Sequence, residues 1–148
     1  MKLVINRCYG GFGLSPTAQK RYLELVGKRC FFYKQTKYKF DGGVDEYTRL
    51  TLKEANDCAF CDTVTEDLGK TTADIGGSNK SKHPDVYWYY GRLERNDPLL
   101  VQVVEELGSD TASAQLAELE IVDIPDDVEY TIGNYDGIES VHEAHRSW

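Results

Sequence analysis

The feature that most constrains this chain is a run of glycines between a predicted strand and a predicted helix. Leu3–Ile5 is a short apolar run typical of a buried strand. Three glycines follow within residues 10–13, and glycine permits the positive φ angles of tight turns. Ser15 and Pro16 then mark a helix start, as N-cap and first helical residue. Residues 2–27 are therefore predicted to form a strand, a turn and a capped helix.

A second helix is predicted over residues 98–107. Asp97 suits the N-cap, Pro98 suits the first helical position, and Gly108 marks the end. Apolar residues recur at the spacing of one helix face, namely Leu100, Val103, Val104 and Leu107. These signals make it the clearest helix in the chain.

Other segments combine β-branched or aromatic residues with flanking turn signals, which predicts antiparallel strands. They are Arg29–Tyr33, Lys37–Phe40, Tyr47–Leu52, Val86–Tyr90, Leu119–Ile124 and Val128–Ile132. With the two main helices they predict an α/β protein of the α+β kind, built on an antiparallel-dominated mixed sheet. We expect a single domain over residues 1–148.

Two further segments complete the prediction. Residues 53–83 are polar and weakly periodic, which predicts a long mobile loop or insertion with a short strand near Phe60–Val64. Tyr135-Asp136-Gly137 is expected to introduce a short C-terminal helix, in which Ile138, Val141 and His145 share a face.

The charge of the chain limits its partners. Seventeen Lys and Arg against 25 Asp and Glu give a net charge of −8. Generic nucleic-acid binding needs a basic footprint, so it is not expected, although a few arginines can hold one small anion. No apolar run has the length of a membrane span, and no export signal precedes the first strand. We therefore expect a cytoplasmic protein with no membrane partner.

The glycine turn is the first candidate site. A glycine turn that leads into a helix N-terminus can present backbone N–H groups to an anion. The motif matches neither GxGxxG nor a P-loop, and the alternative is that the glycines only make the turn. A ligand role depends on Arg95 or Arg146 converging on the turn. The candidate ligand-binding residues here are Asn6, Arg7, Tyr9, Gly11 and Phe12.

The second candidate site follows the aromatic run at residues 86–90. Arginine binds phosphate through a planar charged fork, and aromatic rings stack on bases. The candidate residues are Trp88, Arg92, Arg95 and Asn96. The alternative is that the rings pack against the sheet and the arginines are only solvated.

The C-terminal end is the third candidate site, with Tyr135, Asp136, His145 and Arg146 as possible pocket residues. Ordinary C-terminal packing is the alternative. His142 and His145 lie one helical turn apart, but HEAH is not HExxH and lacks an evident third ligand. We therefore predict no metal ion there.

Cys58 and Cys61 form one CxxC motif, which is half of a zinc site. Zinc and redox roles are alternatives to the interpretation that these thiols are incidental. No carboxylate pair, nucleophile elbow or Cys/His signature is recognisable. The sequence thus predicts no catalytic residue, no metal and no cofactor.

Three stretches carry a family resemblance: INRCYGGFGLS at residues 5–15, RNDPLLVQVVEELG at residues 95–108, and residues 121–148. They resemble a widespread family of small bacteriophage proteins, and this family resembles the Thoeris anti-defence sponges. The stretches cover about half of the chain, and residues 35–85 share no such likeness.

The resemblance implies a protein that binds and sequesters cyclic ADP-ribose-type signals made by bacterial TIR-domain enzymes. It implies a ligand that is held and not cleaved, recessed pockets of arginine and aromatic residues, and in some members a homo-oligomer that also takes cyclic oligonucleotides. The expected location is the host cytoplasm. Two alternatives stay open: an inhibitor module that docks an acidic face onto a host protein, and a nucleotide hydrolase that uses His142 or His145.

Overall fold

The computed structural model describes residues 1–37, 45–73, 75 and 83–143. They form two compact units. The terminal unit comprises Met1–Ala18 and Tyr90–Trp148, and the central unit comprises Gln19–Tyr89. The assignment of one domain to the whole chain stays a prediction. Among the described residues, no helix combines the length and apolarity that crossing a lipid bilayer requires.

The terminal unit is built on an antiparallel pair of strands, β1 (Lys2–Asn6) and β7 (Leu119–Asp123), with Ile5 opposite Glu120. Helix α3 (Pro98–Leu107) packs against both strands and is followed by the short α4 (Ser109–Ala112). A core of fully buried apolar side chains results, among them Leu3, Val4, Ile5, Leu100 and Val103.

The same unit contains a 3-10 helix (Tyr90–Arg92) and a hairpin of β8 (Tyr130–Tyr135) and β9 (Ile138–Glu143). The prediction of a short C-terminal helix is wrong for residues 138–143. Asp136 and Gly137, at φ of 52° and 96°, connect the strands as a two-residue turn. Positive φ at both positions is the geometry of the favoured hairpin turn, and Asp-Gly is one of its typical sequences.

The described residues of the central unit form five short strands, β2 (Phe31–Lys37), β3 (Glu46–Leu50), β4 (Asp62–Val64), β5 (Thr71–Ala73) and β6 (Tyr87–Trp88). They pair into one antiparallel sheet in the order β5-β3-β2-β4-β6. The core of this unit is a cluster of Tyr33, Tyr47, Val64 and Ile75.

Helix α1 (Pro16–Leu25) begins in the terminal unit and ends in the central one. The Ser15 hydroxyl accepts a hydrogen bond from the Ala18 amide at 3.1 Å, which confirms the predicted cap. Asp97 likewise caps α3 by accepting from the Leu99 amide at 2.8 Å, and Gly108 ends that helix at a φ of 79°.

The α+β class, with two main helices and antiparallel strands, is confirmed. The described part of residues 53–83 carries regular structure: helix α2 (Leu52–Asn56) and strands β4 and β5, with β4 inside the predicted short strand. The mobility of this segment stays a prediction. Of the strand predicted at Lys37–Phe40, residues 38–40 lie outside the described residues.

Candidate functional site

The glycine turn owes two of its three glycines to close packing. A Cβ atom on Gly10 would lie 1.9 Å from the Leu116 carbonyl oxygen, and one on Gly13 would lie 2.9 Å from the Ala114 Cβ. Only Gly11 needs glycine for its backbone, at a φ of 90° with open space around it. The turn is therefore shaped by contact with residues 114–116.

Asn6 is fully buried just before the turn. Its Nδ2 donates to the carbonyl oxygens of Cys8 at 2.6 Å and Gly137 at 2.7 Å. Its Oδ1 accepts from the Glu118 amide at 2.8 Å. Because its side-chain amide bonds within the protein in this way, Asn6 joins three chain segments. Its ligand role stays a prediction.

Arg95 does converge on the turn. Its guanidinium carbon lies 3.6 Å from the centre of the Phe12 ring, a cation–π contact. The same guanidinium forms a two-pronged ion pair with Glu139, with N–O distances of 2.6 and 2.8 Å. The Glu139 side chain is only 4% exposed and also accepts a hydrogen bond from the Asn6 backbone N–H at 2.7 Å. The charge of Arg95 is therefore already neutralised.

Arg7 is also paired. Its Nε lies 2.7 Å from the Glu120 carboxylate, and its Nη1 donates to the Glu139 carbonyl oxygen at 2.9 Å. Of the two arginines predicted near the turn and described by the structure, neither offers an unpaired guanidinium to an anion.

Arg92 differs from them. It ends the 3-10 helix and is exposed, and no hydrogen bond or ion pair joins its guanidinium to any residue that the structure describes. Tyr90, on the same short helix, packs against Phe12 with ring centres 6.0 Å apart. We name Phe12, Tyr90, Arg92 and Arg95 the arginine-aromatic cluster. Asn96 beside it is exposed and contacts the Met1 sulfur at 3.5 Å.

A second group of side chains surrounds the turn on three touching loops. Tyr9, Leu116 and Tyr135 are 70%, 65% and 75% exposed. Gly10 contacts the backbone of Leu116, and a Cβ atom on Gly137 would lie 2.4 Å from the Tyr9 carbonyl oxygen. We name these three exposed side chains the apolar surface.

The remaining predicted residues lie elsewhere or are not described. Trp88 belongs to the central unit, where it is half-buried and stacks on Tyr22 with ring centres 5.8 Å apart. This contact favours the packing alternative. Asp136 forms the hairpin turn described above. His145 and Arg146 lie outside the described residues, so their roles stay predictions.

The cysteines are free thiols, each half-buried. Burial raises the pKa of Cys30 and of Cys61 to about 12, which leaves almost no thiolate at neutral pH. In the part of the chain that the structure describes, no three His, Cys, Asp or Glu residues are grouped to hold a metal ion. His142 Nε2 instead lies 2.8 Å from the Ser140 hydroxyl.

The sequence interpretation missed Glu139, Leu116 and Tyr90. One signal could have found Glu139. Had Asp136-Gly137 been recognised as a hairpin turn, strand β9 would have carried Glu139 back towards the glycine turn. For Leu116 we find no sequence signal, because its exposure depends on how the loop before β7 meets Gly10.

No protein-family model, curated protein or solved structure matches this chain. The bacteriophage resemblance therefore stays a prediction. Its three stretches, at residues 5–15, 95–108 and 121–148, all belong to the terminal unit. The unfamiliar residues 35–85 all belong to the central unit.

Proposed function

We propose that the protein is a phage anti-defence protein that binds a cyclic nucleotide immune signal and sequesters it without cleaving it. The observation that carries this proposal is the arginine-aromatic cluster beside the glycine turn. Exposed Arg92 can take a phosphate, and the rings of Tyr90 and Phe12 provide a surface for a base. The ligand class comes from the resemblance of the terminal unit.

The ion pair between Arg95 and Glu139 gives this cluster its rigidity. Arg95 covers one face of Phe12 while both of its terminal nitrogens are held by the buried carboxylate. A ring that is already positioned loses little freedom when a ligand binds, and such preorganisation favours tight binding. Tight retention is what sequestration needs.

The cluster also supports binding without chemistry. Its members are the phenyl ring of Phe12, the phenol ring of Tyr90 and the guanidinium groups of Arg92 and Arg95. A guanidinium stays protonated at neutral pH, so neither arginine can act as a general base. We assign no catalytic residue, and we propose that the protein acts in the host cytoplasm as a homo-oligomer.

The experiment is native mass spectrometry and calorimetry with cyclic ADP-ribose isomers and cyclic dinucleotides, followed by heat denaturation and chromatography of the released ligand. We expect one isomer to bind and to be released intact, and the same spectra report the stoichiometry. Arg92→Ala should weaken binding about tenfold, because it removes one charge-assisted contact. Arg92→Lys should weaken binding by less, because lysine keeps the positive charge.

Arg29→Ala is the matched control, since Arg29 is an exposed arginine of the central unit, paired with Glu66. Its binding should equal that of the unmodified protein. Absence of binding across the panel would overturn the proposal. Release of an altered ligand would favour the hydrolase, and unchanged binding by Arg92→Ala would exclude the cluster as the site.

A further inference from the structure

We propose that the apolar surface of Tyr9, Leu116 and Tyr135 docks a basic segment of another protein. These are the only large hydrophobic side chains that the terminal unit exposes among its described residues. All three lie on loops whose backbones touch around one turn, and neighbouring exposed apolar groups mark interaction sites more often than scattered ones do. Tyrosine is also enriched in protein interfaces.

The surface is held by backbone contacts. The Leu116 segment touches Gly10, and the hairpin turn touches Tyr9 so closely that neither Gly10 nor Gly137 has room for a side chain. The buried Asn6 side chain forms hydrogen bonds to the backbone of Cys8, Gly137 and Glu118, and so connects all three loops. The backbone that carries the three side chains is therefore preorganised for binding a partner.

Charge selects the kind of partner. Asp136 follows Tyr135 directly and is exposed, and Glu118 is exposed two residues after Leu116. Arg7 and Arg95 are neutralised, since Arg7 pairs with Glu120 and Arg95 pairs with Glu139, and the exposed Arg92 belongs to the arginine-aromatic cluster. The charges that adjoin Tyr135 and Leu116 along the chain are therefore negative.

An acidic rim around aromatic rings complements lysine and arginine. Their aliphatic stems can lie on the rings, and their cationic ends can contact both the π faces and the carboxylates. A second copy of this chain would bring like charges together at Asp136 and Glu118, as would an anionic nucleotide. The geometry thus points to a cationic protein segment at this surface.

The test is an NMR titration of the whole chain with short peptides that alternate arginine with leucine or tryptophan. Charge-reversed peptides with glutamate for arginine are the paired probe. We expect the basic peptides to shift the amides of Tyr9, Leu116 and Tyr135, and the acidic ones to shift none of them. The double variant Tyr9→Ser, Tyr135→Ser should weaken binding at least tenfold.

Two further variants separate charge from folding. Asp136→Asn together with Glu118→Gln should weaken the basic peptides and reduce the salt dependence of binding, since asparagine tolerates the positive φ of Asp136. Phe60→Ser is the matched control, because Phe60 is 84% exposed in the central unit, and it should bind as the unmodified protein does. Thermal unfolding of each variant checks that the fold is kept.

Absence of binding by the basic peptides, or equal binding by the acidic ones, would overturn this proposal. Self-association that Tyr9→Ser abolishes would assign the surface to a second copy instead. A cyclic nucleotide that shifts the same amides would assign it to the signal. None of these outcomes depends on Arg92, so this proposal and the proposed function can fail separately.

Discussion

The two units bury polar groups in different ways. In the central unit the core is a cluster of Tyr33, Tyr47, Val64 and Ile75, and the Tyr33 hydroxyl reaches out to the Gly69 carbonyl oxygen at 2.7 Å. In the terminal unit, Asn6 and the charged Glu139 are themselves buried. The terminal unit thus buries a charged side chain, whereas the central unit buries neutral polar groups, such as the Thr63 hydroxyl that donates to Gln19 Oε1 at 2.6 Å.

Their ion pairs show the same difference. Arg95 and Glu139 are 22% and 4% exposed, whereas Arg49 and Asp67 of the central unit are 37% and 36% exposed. Removing one partner of a buried pair leaves a charge without solvent, and an exposed pair contributes little. An arginine beside a candidate site is therefore available to a ligand only when its guanidinium is not already paired within the protein.

The largest expected effect is that of Glu139→Gln. It leaves the Arg95 guanidinium half-buried without its counter-charge, so the free energy of unfolding should fall by about 3 kcal/mol. Urea unfolding followed by circular dichroism measures it. The control is Glu24→Gln, which breaks an exposed pair with Lys20 and should cost much less. Equal losses in both variants would contradict the distinction between buried and exposed pairs.

A smaller effect separates two glycines of the terminal unit. Gly11 and Gly137 have φ of 90° and 96°, but only Gly137 lacks space, since its Cβ would lie 2.4 Å from a backbone oxygen. Gly11→Ala should cost about 1 kcal/mol in backbone strain, and Gly137→Ala about 2 kcal/mol or more, since a steric clash is added. Thermal and urea unfolding compare them. A larger loss of stability in Gly11→Ala than in Gly137→Ala would show that the hairpin turn is not in close steric contact with Tyr9.

The elements that could be predicted from the sequence are those whose signals are local. Ser15 with Pro16 and Asp97 with Pro98 cap helices within a few residues, so α1 and α3 follow from short windows. The C-terminal hairpin could not be read from apolar spacing, because Ile138 and Val141 fit a helix face while Asp136-Gly137 encodes a turn. Here the turn chemistry decided the structure.

The candidate site was predictable only in part. The convergence of Arg95 on the glycine turn was a stated condition, and the structure meets it. The neutralising partner could not be foreseen, because Glu139 lies 44 residues away in the sequence and reaches Arg95 through the tertiary fold. Residue type suggests what a guanidinium can bind, but only the fold shows whether that capacity is already used.

The smallest expected effect tests the exposed side of the comparison. The Gly69 amide and then the Arg49 guanidinium bond to the Asp67 carboxylate and lower its pKa from the usual 3.8. A lowered pKa in the folded state stabilises the protein above the unfolded pKa, and this stability is lost as pH falls through the folded value.

Asp67→Asn should therefore lower the melting temperature at pH 7, but by less than Glu139→Gln does. The difference from the unmodified protein should shrink as pH falls from about 4 through the lowered folded pKa of Asp67, below which neither chain carries the charge. Glu66→Gln is the control, because its pair with Arg29 is exposed at 3.6 Å and should contribute little at any pH. If the difference in melting temperature stays constant down to low pH, the Asp67 side chain stabilises the protein through its shape and hydrogen bonds. Its charge would then contribute nothing to the stability of the central unit.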